Sequence, residues 1–150
     1  MSKSISILNE LLVELFNDIL TIEQNALQAG AFKDLSVTEI HTIDAIGMYS
    51  KRTMSEVAQE LRITVGTLTT AINHLVRKGY VERKRSEEDR RNVYISLTKR
   101  GKLAYRIHQK FHSDMIKNTI LGLNGEEERV LMDSLEKLNG FFKSHYDIKN

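Results

Sequence analysis

The sequence predicts a mainly α-helical fold that carries one small β-hairpin. Three observations predict it. Apolar residues recur at spacings of three and four along most of the 150-residue chain. There is no proline, so long helices run uninterrupted. Only two short segments, 80–85 and 92–97, carry period-two alternation, and a polar loop at 86–91 separates them.

The first helix is expected over 5–28. Ile5, Leu8, Leu12, Leu15, Ile19, Ile22 and Ala26 form a heptad-like seam, which Leu11, Phe16, Leu20 and Leu27 widen. So broad a stripe needs a partner, in the same chain or in a second copy. Gly30 ends this helix. Ser36 and Glu39 have the spacing of a capping box, which starts a second helix bearing Val37, Ile40, Ile43 and Ile46. Thr53 and Glu56 repeat the box before a short helix that buries Val57, Ala58 and Leu61. A tight connection at 62–64, with Thr64 as N-cap, leads into a helix over 65–78. Val65, Leu68, Ile72, Leu75 and Val76 are its expected buried face, and Gly79 supplies a left-handed stop. After the hairpin, Thr98 caps a long helix to about residue 121 with Leu103, Ile107, Phe111, Met115 and Ile120 on one stripe. Asn124 and Glu127 open the last helix, which carries Val130, Leu131, Leu135, Leu138, Phe141 and Phe142.

Composition removes several function classes. There is no cysteine, which excludes disulfides, thiolate metal sites and cysteine nucleophiles. Acidic residues break the apolar pattern of the N-terminus, so no signal peptide is expected there. No apolar run approaches the ~18 residues of a membrane span, and a cytoplasmic location is expected. The chain has no glycine-rich phosphate loop, nucleophile elbow or convincing carboxylate pair, so no catalytic residue and no cofactor are expected. The formal net charge of +2 hides a strong asymmetry: residues 77–106 hold 11 Lys+Arg against 4 Asp+Glu, while residues 1–48 hold 2 against 7. One basic block on an otherwise balanced chain points to a polyanionic partner.

Residues 54–78 have the pattern of a helix-turn-helix, with Val57, Ala58, Leu61, Ile63, Leu68, Ile72 and Leu75 as its small core. That leaves Thr64, Gly66, Thr67, Thr70, Asn73, His74 and Arg77 on the outer face of the second helix. A face this small and polar at its start can enter the ~12 Å major groove of duplex DNA. The hairpin follows at once. Arg83, Lys84 and Arg85 climb one strand and Arg90 and Arg91 crown the turn, where they can meet phosphates or the minor groove. Asp89 reads as the partner of an arginine, in a bidentate pair. Glu87 and Glu88 read as solvated.

The run HLVRKGYVERKRSEEDRRNVYISLTKRG at 74–101 resembles the signature of MarR-type winged-helix regulators. Lys78, Gly79, Val81 and Arg83 match its turn, Asp89, Arg90 and Arg91 its wing, and Leu97, Thr98 and Gly101 its closing segment. The resemblance implies a winged helix-turn-helix with long N- and C-terminal dimerisation helices. It implies one subunit over 1–150, with the DNA-binding region at 36–101 and dimerisation helices at 1–30 and 102–150. The expected partners are a second copy of the chain and double-stranded DNA with a pseudo-palindromic operator. Asp89 would be the wing's structural acid, Arg91 a minor-groove probe and Arg90 its support.

Within that family, the segments 32–36, 39–47 and 106–112 resemble repressors of bacterial fatty-acid synthesis. This implies a long-chain acyl group on acyl carrier protein as corepressor. Leu15, Phe16, Ile19, Leu20, Ile40, Ile43 and Phe111 could line an acyl-sized tunnel, and they suit a filled core equally well. A zinc-responsive branch of the family is the alternative. His108 and His112 stand at i, i+4, and Glu23 and His41 lie on other helices. These groups suit either a metal or hydrogen bonds between helices.

Overall fold

The computed structural model describes residues 2–146. The expected outer boundaries at residue 1 and over 147–150 lie outside the described residues. The chain divides into two compact units, 1–105 and 106–150.

In chain order the elements are α1 (Lys3–Ala29), α2 (Val37–Ile46), β1 (Arg52–Thr53), α3 (Met54–Leu61), α4 (Val65–Arg77), β2 (Val81–Arg85), β3 (Val93–Leu97), α5 (Lys99–Ile120) and α6 (Gly125–His145). The fold is mainly α with a small antiparallel sheet, in the order β1-β3-β2. The sheet has three strands where the periodicity predicts two. Arg52 pairs with Ile95 and Thr53 with Tyr94 on the free edge of β3. A two-residue strand carries no readable alternation. It ends at once because Thr53 is also the N-cap of α3 and is committed to a capping box with Glu56.

In the first unit the core is a single cluster beneath the sheet and between α2, α3 and α4. Ile40, Ile43, Ile46, Val57, Leu68, Ile72, Leu75, Tyr80 and Ile95 are essentially inaccessible. Two residues assigned to this core by periodicity lie outside it. Ile63 and Val65 are 36% and 45% exposed. Arg62 takes a left-handed conformation (φ 57°), so the chain turns sharply before Thr64 caps α4. Ile63 and Val65 sit on that turn and the first helical position, where no layer covers them. On α1, Glu23 is the buried residue, and the seam from Ile5 to Ile22 is exposed. In the second unit, no described residue of α6 is buried, and Val130, Leu135, Leu138, Phe141 and Phe142 are open.

The end of α4 is fastened to the start of α5. Gly79 adopts φ 85°, and the turn closes with Tyr80 N–H donating to the Leu75 carbonyl (2.9 Å) and Gly79 N–H to Val76 (3.1 Å). This is a Schellman stop, which a residue with a Cβ resists. Thr98 then holds the same turn: its hydroxyl donates to the Gly79 carbonyl at 2.6 Å and its N–H to the Tyr80 carbonyl at 3.0 Å. Gly101 packs directly against that backbone. A Cβ there would lie 2.1 Å from the Tyr80 carbonyl oxygen. Gly101→Ala is therefore expected to destabilise the first unit by roughly 1–3 kcal/mol, the usual range for overpacking. A lowered midpoint in urea unfolding checks this, and an unchanged midpoint would show that the close approach is absent.

Candidate nucleic-acid interface

Helix α4 presents the expected face. Thr64, Gly66, Thr67, Thr70, His74 and Arg77 are exposed and Asn73 is half-buried. Thr64 accepts from the Thr67 N–H (3.1 Å) and donates its hydroxyl to the Thr67 hydroxyl (2.9 Å), so the N-terminal turn is held by its own side chains.

The hairpin of β2 and β3 stands beside this face. Val81 pairs with Leu97, Arg83 with Ile95 and Arg85 with Val93; Val81, Ile95 and Leu97 are buried, and Glu82, Arg83, Lys84 and Arg85 are exposed. At the turn, Arg91 donates from Nε and Nη2 to the two carboxylate oxygens of Asp89, each at 3.1 Å, and its backbone N–H donates to the same acid. The hydrogen bonds from Arg91 hold the Asp89 carboxyl below its usual range. The Arg91 side chain nevertheless stays 91% exposed. Arg85 reaches back, donating to the Arg90 carbonyl at 2.9 Å, so it braces the turn from within. Lys84 and Arg90 are exposed. Between the starts of α3 and α4 and the wing lies an open groove of about 350 Å³, lined by Arg83, Arg85 and Arg91 and by the hydroxyl residues Thr53, Ser55 and Thr69. Three guanidiniums and three hydroxyls on one concave surface are chemistry for phosphate oxygens.

A polar lock beneath α4 was not legible as a unit in the sequence. The Lys78 ammonium donates to both Glu39 carboxylate oxygens at 2.9 Å and to the Asp34 carbonyl. Tyr80 donates its hydroxyl to Asp34 (2.6 Å), and Arg100 donates to Asp34 (3.3 Å) and to the Lys78 carbonyl (2.6 Å) while lying over the Tyr80 ring. Burial acts to raise the Glu39 carboxyl, but Lys78 and Ser36 outweigh it and hold it below the ordinary value. Asp34 is likewise lowered, because Tyr80 and Arg100 outweigh its burial. Burial and Asp34 together push the Tyr80 hydroxyl far up. In the sequence Lys78 stands at the helix stop and in the family motif, and no spacing ties it to residues 34 and 39.

The effector-pocket candidates take different places. Ile40 and Ile43 belong to the filled core of the first unit, whereas Leu15, Phe16, Ile19 and Leu20 are exposed on α1. Phe111, half-buried in the second unit, stacks on His108. Of the metal candidates, Glu23 pairs with His41 at 3.1 Å in the first unit, and His108 and His112 share a 3.0 Å ring-to-ring hydrogen bond in the second.

Residues 33–92 match the sequence profile of the MarR family. The solved structure of Streptococcus pneumoniae FabT in complex with DNA is 45% identical, with 93% of this chain and 97% of that chain covered and a TM-score of 0.89. The chain belongs to the MarR family. A Bacillus subtilis organic hydroperoxide resistance transcriptional regulator is 38% identical over 89 residues, 57% of either chain. The B. subtilis HTH-type transcriptional regulator YwhA is 30% identical over 86 residues, 57% of this chain and 62% of its own. The match therefore spans less than two thirds of each of these two B. subtilis regulators. This chain carries the winged helix-turn-helix of a MarR-family transcriptional regulator. Among the described residues, no helix is long and apolar enough to cross a membrane.

The lock has a pH signature. Glu39 and Asp34 have lowered folded values, so their contribution is complete above the ordinary carboxylate range of about 4 and is lost as pH falls through the folded values. Lys78→Met leaves the Glu39 carboxylate without its ammonium. Its melting temperature should lie below that of the wild type at pH 7, and the gap should narrow below about pH 4 as Glu39 protonates. A gap that stays constant from pH 7 to pH 3 would show that Lys78 contributes by packing alone.

Proposed function

We propose that the protein is a cytoplasmic, homodimeric repressor that binds a pseudo-palindromic operator with α4 in the major groove and the wing beside it. The observation that carries this reading is the joint surface of α4 and the three wing arginines, on a chain 45% identical to a FabT solved with DNA. The exposed apolar seams of α1 and α6 support the dimer. A single-chain helix would leave them in water, and a second copy would cover them. A dimer also places two recognition helices on half-sites about one helical turn, or ~34 Å, apart. Sedimentation equilibrium should accordingly give a dimer at micromolar concentration, and a monomer would remove this arrangement.

In this reading Thr64, Gly66, Thr67, Thr70, Asn73, His74 and Arg77 face the groove, while Lys84, Arg85, Arg90 and Arg91 serve the backbone and the minor groove. Asp89 sets the pose of Arg91. Arg91→Ala should weaken operator binding by roughly 1–3 kcal/mol in a mobility-shift titration, and Asp89→Ala should weaken it as well although it removes a negative charge. Tighter binding by Asp89→Ala would mean that the acid only repels phosphate.

The regulated genes are proposed to be those of fatty-acid biosynthesis, with a long-chain acyl group on acyl carrier protein as corepressor. The likeness to FabT supports this, and neither it nor the family match favours the zinc-responsive alternative. A corepressor acts only through its differential affinity for the DNA-competent state. Fluorescence anisotropy on operator DNA tests it, with acylated carrier protein, free carrier protein, and zinc with and without chelator added in turn. Tighter DNA binding with the acylated carrier alone is expected. A zinc response that the chelator abolishes would replace this reading with the metal sensor.

A further inference from the structure

One contact joins the two DNA-facing elements to each other. Arg83 on β2 donates from Nη1 to the Asn73 side-chain oxygen on α4. Arg77, one turn on, donates from Nε to the Asn73 backbone carbonyl at 3.4 Å. Arg83 and Arg77 are exposed and Asn73 is half-buried at the edge of the groove-facing surface.

The chemistry of this contact restricts what Asn73 can read. Arginine has five donors and no acceptor, so the amide must turn its oxygen toward Arg83. Its outward edge is then the NH₂ group, a donor alone. That oxygen keeps a second lone pair, so Arg83 fixes the orientation of the amide, and the edge turned away from the guanidinium is the one that donates. We infer that Arg83 and Asn73 act as one unit, in which Arg83 ties the wing to α4 and holds the Asn73 amide with its NH₂ group as donor toward an acceptor on DNA. The acceptor is a purine N7 or a phosphate oxygen, which share that chemistry. Arg83 is thus a positioning residue as well as part of the basic surface. The inference rests on the DNA-binding reading above.

The test is a double-mutant cycle on a duplex recovered by wild-type protein from a random pool, with far-ultraviolet circular dichroism confirming that each variant is folded. Asn73→Ala should lower affinity roughly ten-fold in the wild-type background, as for a lost hydrogen bond to a charged group. In the Arg83→Met background it should lower affinity by less than about two-fold, because the unit is already broken. An equal loss in both backgrounds would overturn the coupling. Asn73→Asp keeps an acceptor for Arg83 but presents no donor, so it should lose at least as much as Asn73→Ala, and wild-type affinity would overturn the donor assignment. Sensitivity to Asn73 that vanishes on a 7-deazapurine duplex locates the acceptor on a base, and on a methylphosphonate duplex it locates it on the backbone. If the wild-type protein recovers no duplex at all, the DNA-binding reading itself fails, which is a different result from an additive cycle.

Discussion

The backbone at residues 78–80 is where three distant parts of the chain converge. Helix α4 must stop there, the wing must begin there, and α5 must start within contact of it. Gly79 permits the left-handed turn, Thr98 binds the carbonyls that the turn leaves open, and Gly101 yields the room that the Tyr80 carbonyl occupies. Lys78, Tyr80 and Arg100 then carry the same small region down to Asp34 and Glu39 at the start of α2. The orientation of the recognition helix is therefore set at its C-terminal end by ion pairs and at its N-terminal end by the Thr64 cap. The middle is held by apolar packing through Leu68, Ile72 and Leu75.

This arrangement explains why so basic a hairpin can be a precise element. The cations at 83–91 repel one another, and an isolated two-stranded hairpin is marginal in water. Here β3 is flanked on its other edge by β1, and Val81, Ile95 and Leu97 face the core. The turn is closed by the Asp89–Arg91 pair and by Arg85 donating to the Arg90 carbonyl. Part of the cationic charge is thus spent on holding the wing's own shape, and part is left open toward solvent.

Helix boundaries were legible because the caps are chemical: Ser36, Thr53, Thr64 and Asn124 each accept from the residue three positions on, as their spacing implies. The family signature was legible because its residues are needed at one turn. What was not legible is whatever depends on pairs far apart in sequence. Lys78 meets Glu39, Arg100 meets Asp34, and Arg83 meets Asn73 only once the fold exists. Ile63 and Val65 were misread because their apolar character continues the helical period, although the left-handed Arg62 turns the chain away from the core. The two residues of β1 are too few to show a period.

The central claim is that α4 and the wing form one rigid surface that engages DNA. Amide hydrogen exchange of the intact protein, with and without a duplex selected from a random pool, tests it directly. The claim predicts new protection over 64–77 and 83–91 together, appearing at the same duplex concentration. Protection confined to one of the two segments, or found only on other elements, would contradict it.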